Sequence, residues 1–182
     1  MISNQDFNDM LDREVESTLA MIQANPTELL PHILCIYADP TCTPRAVKAE
    51  ALMLMDGIPQ EKEAFMAAIA NTFVKRFPTA TLLAVFMATE AWLSNDQTTQ
   101  PSLAKDRREI IAINGFAGDG RTNMATVQIG RDRRNGIVPG QVRRTYHNPG
   151  SDNVLHNYLL ATFWKSYQLI KAIGHPSRAK VH

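Results

Sequence analysis

Residues 108–131 read REIIAINGFAGDGRTNMATVQIGR, and the reading of this stretch decides the fold. Two runs suited to strands, residues 108–117 and 123–131, flank Gly118-Asp119-Gly120, which is a hairpin signature. A hairpin joins antiparallel strands, so an alternating strand–helix chain with a doubly wound parallel sheet is disfavoured. The GDG also fails as a phosphate-binding loop, which would lie between a strand and a helix.

Working outward, Pro139-Gly140 predicts a type II turn, followed by a further strand over residues 141–147, QVRRTYH. A last helix is expected from Ser151 or Asp152. It carries Val154, Leu155, Tyr158, Leu159, Phe163, Tyr167 and Ile170 and is closed by Gly174 and Pro176. On the other side, residues 79–94, TATLLAVFMATEAWLS, read as a central strand, and 94–105 as a polar loop. Pro59, Glu61 and Glu63 open a helix that continues through Phe65, Met66, Ile69, Phe73 and Phe77 and stops at Pro78. Residues 31–38, PHILCIYA, predict a buried strand, and 49–55 a second one ending on Asp56-Gly57. At the start, Ser3 and Asp6 form a capping box ahead of Phe7, Met10, Leu11, Val15, Leu19 and Ile22, a helix that ends near Asn25-Pro26. The expected architecture is one α+β domain over residues 1–182, an antiparallel or mixed sheet of five to six strands with three main helices on one face.

The chain has 182 residues, 45% of them hydrophobic and 20% charged, which fits one globular domain that needs neither disulfide nor metal to fold. This composition excludes a wholly disordered, collagen-like or coiled-coil chain. No signal-peptide pattern opens the chain, and the apolar-rich segment 82–92 is broken by Thr89 and Glu90, well short of the roughly 20 residues of a membrane helix. The expectation is a cytoplasmic protein without a membrane partner. Cys35 and Cys42 match neither CxxC nor a zinc pattern, so a buried Cys35 and a loop Cys42 are expected. The five histidines (His32, His147, His156, His175, His182) have no metal-ligand spacing, and no Walker A or G-x-S-x-G motif occurs. The sequence therefore implies no metal and no cofactor.

The net charge of +1 conceals a split: residues 1–66 carry 11 acidic and 4 basic side chains, whereas residues 67–182 carry 7 acidic and 15 basic ones. The two groups meet either within one molecule or between copies. In the second case the acidic helix of one subunit lies on the basic strands of another and symmetry closes a homo-oligomer. The aromatic breadth of the last helix, with Leu160 and Trp164 off the Leu155, Leu159, Phe163 line, fits burial by core or by a partner.

Two residue clusters carry possible chemistry. A carboxylate in an apolar strand must be paired or solvated, so Glu90 either meets Arg107 or Arg108 across the sheet or serves as a base. In the second case its pKa is raised by burial, Asp106 is the other catalytic carboxylate and Arg107 holds an anionic group. The other cluster is arginine-rich. Residues 101–150 hold 9 basic and 4 acidic side chains, and Arg107, Arg131, Arg134 and Arg144 are candidate anion-binding groups. In QVRRTYH, alternation puts Val142, Arg144 and Tyr146 on one face and Arg143, Thr145 and His147 on the other. Such a surface reads first as a solvated, salt-bridged sheet edge that repels unwanted pairing, and second as a surface for single-stranded nucleic acid.

The stretch EAWLS, then PSLAKDRREIIAI and IGRD, over residues 90–132, resembles a group of small bacterial proteins of no assigned activity that show an EAW motif, a Pro-Ser, an Asp-Arg before a strand and a later Arg-Asp. The resemblance implies that Glu90, Trp92, Pro101, Ser102, Asp106, Arg107 and Glu109 gather in space. The leading functional expectation is a non-catalytic binding or assembly protein forming a homo-oligomer through helical surfaces. An enzyme built on Glu90 and Asp106, and nucleic-acid binding by the arginine-rich strands, are the alternatives.

Overall fold

The run LLAVFMA, residues 82–88, is apolar in both phases of a strand, and both phases are buried. A computed structural model describes residues 2–41, 46–54, 61–95, 98–147 and 158–174. The elements are α1 (Asn4–Ala24), β1 (His32–Asp39), β2 (Ala46–Met53), α2 (Lys62–Arg76), β3 (Thr81–Leu93), β4 (Arg108–Ala117), β5 (Thr122–Arg131), β6 (Ile137–His147) and α3 (Tyr158–Gly174). The six strands form one sheet in the order β2-β1-β3-β4-β5-β6, and every neighbouring pair is antiparallel. The α+β class, the sheet and the three helices agree with the sequence expectation. The expected turn at Asp56-Gly57, the helix starts at Pro59 and at Ser151 or Asp152, Cys42, His156, His175 and His182 lie outside the described residues.

The helices do not share one face, which corrects the sequence reading. Ala84, Phe86 and Ala88 of β3 pack with Phe7, Leu11, Val15 and Ile22 of α1. Val85 and Met87 pack on the opposite side with Met66 and Phe73 of α2 and Leu160 and Phe163 of α3. The reason lies in β1 and β3, whose two faces are both apolar. A single helical layer would leave one face in water, so each face takes its own cover.

Local signals account for most element ends. Ser3 accepts from the Asp6 amide at 3.0 Å while Asp6 reaches back to the Ser3 amide at 3.3 Å, the expected capping box of α1. Arg121 ties that helix to the sheet: it donates to the Ile2 carbonyl at 2.6 Å and to Asn4, and its guanidinium sits 5.7 Å from the Phe7 ring centre. The GDG hairpin joins β4 to β5, with Gly120 at φ +86°, where a side chain would be strained. Gly115 answers a different need, since a Cβ there would come within 2.6 Å of the Phe86 ring. On the other face the Tyr167 hydroxyl accepts from the Leu82 amide at 3.0 Å and donates to the Ala80 carbonyl at 3.2 Å, fixing α3 against β3.

The turn expected at Pro139-Gly140 is instead part of β6, where Pro139 pairs with Ile129 beside a register shift. The reversal between β5 and β6 lies at residues 132–136. Asp132 accepts from the amides of Arg134 and Gly136 at 2.8 and 2.7 Å, and Asn135 takes φ +63°. Pro139 is tolerated because β6 is an edge strand, where a missing amide hydrogen leaves no partner unsatisfied.

Candidate functional site

Glu90, Trp92 and Glu109 reach the same end of the sheet by register. Trp92 pairs with Glu109 and Glu90 with Ile111, so alternation sets them on the α1 face with Arg131 of β5. Arg131 is the hub: its Nε donates to Glu109 Oε2 at 3.1 Å, one Nη donates to Glu90 Oε2 at 2.7 Å, and the same Nη also bonds Glu109 Oε1. The hydrogen bonds that Arg131 donates to Glu109, then the one to Glu90, raise the guanidinium's pKa against the opposing effect of burial. Glu90 Oε1 accepts from the Leu29 amide at 3.1 Å, fastening the segment after α1 to the sheet. The partner of Glu90 is thus Arg131, not Arg107 or Arg108.

Asp106 belongs to a separate network. Its Oδ2 accepts from the Asn95 amide at 2.9 Å and its Oδ1 bonds the Ser94 hydroxyl, closing the loop between β3 and β4. Arg107 donates to the Ser102 carbonyl at 2.7 Å and lies 5.2 Å from the Trp92 ring centre, a cation–π contact. The cluster implied by the resemblance is therefore close to one place but divided. Glu90, Glu109 and Arg131 form one group, Trp92, Ser102 and Arg107 a second, and Asp106 holds the loop.

The other arginines are distributed by the sheet. Arg144 faces α1 and pairs with Asp12, so one member of the basic set meets the acidic helix within the molecule. Arg134 is exposed, and its backbone amide donates to Asp132. Val142 packs on the α1 side, as the alternation of QVRRTYH requires, while Arg143 lies on the opposite face with Arg108, Gln128 and Gln141.

Two features escaped the sequence reading. The first is a buried ion pair, His32 Nε2 to Glu14 Oε1 at 2.6 Å, each side chain 3% exposed, with His32 Nδ1 donating to the Leu30 carbonyl at 3.1 Å. Burial opposes protonation of His32, but the Glu14 hydrogen bond and charge and the Leu30 carbonyl outweigh it and raise its pKa. The signal was present: Glu14 falls in the buried phase of α1, with Leu11, Val15 and Thr18, and His32 shares a strand face with Leu34 and Ile36. Cys35, buried on the other face, has its thiol pushed up by burial and by the nearby Glu50 charge, which keeps it protonated.

The second is the outer side of β2. Leu54 donates to the Pro31 carbonyl at 2.8 Å, and Met53 pairs with His32. Antiparallel alternation then points the backbone groups of Lys48, Glu50 and Leu52 toward β1 and those of Val47, Ala49, Ala51 and Met53 outward. Among the described residues no strand pairs with that outer side. Beside it, between α1 and the β1–β2 hairpin, opens a cavity of about 330 Å³ lined by Met10, Glu14, Leu34, Ile36, Val47 and Ala49 among others. Val47 is 58% exposed and Met53 39%.

Among the described residues no cluster of His, Cys, Asp and Glu is arranged to hold a metal, and no helix is long and apolar enough to cross a membrane. Comparison with protein-family models, with curated proteins and with solved structures finds no match to this chain.

Two predictions follow from these ion pairs. Arg131→Met leaves Glu90 and Glu109 without their shared cation, and should cost about 2 kcal/mol in urea unfolding. The exposed Arg134→Met should change stability by less than about 0.5 kcal/mol, and equal effects would contradict the hub role. For His32, a raised folded pKa means that the pair stabilises fully below the ordinary value of 6.5 and loses its contribution as pH rises through the folded value. Stability should therefore fall as the pH rises above about 6.5 in the native protein. Glu14→Gln should flatten that fall and cost about 3 kcal/mol below that pH, as measured by urea unfolding on either side of it.

Proposed function

We propose that the protein is a non-catalytic binding and assembly module that takes up an extended strand of a partner at the outer side of β2. The observation that carries this reading is the row of outward backbone groups at Val47, Ala49 and Ala51, flanked on one face by apolar side chains and the adjoining cavity. The opposite edge of the sheet provides the contrast. β6 carries Pro139, a register shift, and Arg143 and Arg144, all devices that discourage strand addition. β2, AVKAEALM, has no proline, no glycine and no register shift against β1, and its two charges are of opposite sign.

The edge is favoured over the helical surfaces expected from sequence because it offers directional hydrogen-bonding groups. Among the described residues α3 exposes Tyr158 and, one turn apart, Leu169 and Ile173, a small apolar patch of the kind monomer surfaces commonly carry and one without free backbone hydrogen-bonding groups. The enzyme reading ranks second. Glu90 is engaged by Arg131 and the Leu29 amide, and Asp106 by Ser94 and the Asn95 amide, so acid–base work would require those contacts to be released.

Ala49→Pro removes one outward amide hydrogen without removing a bond to β1. The fold should survive, with a far-UV spectrum like that of the native chain. A displayed library of extended heptapeptides should enrich binders on the native protein and lose them on this variant. Binders indifferent to Ala49→Pro would overturn the strand-addition reading.

A further inference from the structure

We infer that the strand received at this edge is the β2 of a second copy of the chain, paired antiparallel about a twofold axis through Ala49. The inference rests on the strand-addition reading and names its partner. A twofold pair makes the same patch serve both copies. It must also set outward-pointing residues opposite one another, which restricts the axis to pass through a residue rather than between two.

Charge selects among the possible centres. Centring on Glu50 sets Glu50 against itself, and centring on Lys48 sets Lys48 against itself. Centring on Ala51 puts Glu50 opposite Leu52 and Lys48 opposite Leu54. Centring on Ala49 places Lys48 opposite the second copy's Glu50 and, by symmetry, Glu50 opposite the second copy's Lys48. These are the non-hydrogen-bonded positions, at which opposed side chains approach most closely. In the same register Val47 lies opposite Ala51 and Ala49 opposite itself, so across residues 47–51 the side chains that meet on the α1 face are small or β-branched, and their outward amides and carbonyls face each other.

The charges behind these residues extend the match. Lys48 Nζ lies 2.8 Å from Asp39, and Glu50 lies 2.5 Å from Arg76 of α2. Pairing about Ala49 lines these up as Asp39, Lys48, then Glu50 and Arg76 of the second copy, alternating in sign across the junction on the face that carries α2 and α3. On the other face the cavities beside the two β2 strands join into one trough running between the two α1 helices.

The test uses Lys48→Glu and Glu50→Lys in the full chain, with molar mass followed by light scattering over a concentration series. The native chain should dimerise as concentration rises. Each variant alone puts like charge opposite like charge at both positions and should associate at least about tenfold more weakly. An equimolar mixture of the two variants should recover native-like association as a heterodimer, because every opposed position again carries opposite charges. Each variant also loses an internal partner, Asp39 or Arg76, but loss of an internal pair does not produce recovery on mixing. A native chain monomeric at every concentration, or a mixture no stronger than its components, would overturn the inference. If peptide binders at the edge are then still lost on Ala49→Pro, the strand-addition reading stands without the second copy. A dimer unaffected by Ala49→Pro overturns both.

Discussion

Two strands with two apolar faces set the terms for the rest of this structure. β1 and β3 bury Ile33, Cys35, Val85 and Met87 on one side and Ile36, Ala84, Phe86 and Ala88 on the other. Both sides therefore need cover, which among the described residues three helices supply to a six-stranded sheet. α1 lies across β3 to β6 on one face, while α2 and α3 pack together over β1 and β3 on the other. Val47 and Met53 of β2, beyond the reach of α1, stay exposed. The outer side of β2, with which no strand pairs among the described residues, thus borders an exposed apolar margin, and the functional proposal begins there.

Charge is arranged to lock this layout. Arg131 joins Glu90 and Glu109 at one end of the sheet, Arg144 takes Asp12 from α1, and Arg121 takes Asp119 along with the start of α1. Glu14 and His32 pin the middle of α1 to β1 from inside the core, where breaking either partner would strand a charge in a dry environment. Much of the arginine excess in the second half of the chain is thereby held by the chain's own carboxylates and carbonyls. The opposition between an acidic first part and a basic second part has an intramolecular component, carried directly by Asp12 and Arg144.

What could be read from the sequence was local. The Ser3–Asp6 capping box, the GDG hairpin and the bounds of β4 depend on residues a few positions apart, and the structure has them as expected. Features that depend on register were not legible. Glu90 finds Arg131 across β4, and no local pattern states which strand lies two places away. Pro139-Gly140 carries a turn signal that an edge strand absorbs, whereas the reversal uses the Asp132 side chain and a left-handed Asn135 before Gly136. β2 begins at Ala46, ahead of the expected 49, because a run of Ala, Leu and Met suits helix and strand alike and only its pairing with β1 decides. That β2 is an edge follows from strand order, and strand order is a property of the whole sheet.

The most direct measurement of the central claim is amide hydrogen exchange, read residue by residue at low and at high protein concentration. The account predicts that the outward amides of Val47, Ala49 and Ala51 exchange fast when dilute and become protected together as concentration rises, while those of Lys48, Glu50 and Leu52, already bonded to β1, change far less. Exchange at Val47, Ala49 and Ala51 that stays fast at every concentration would contradict it.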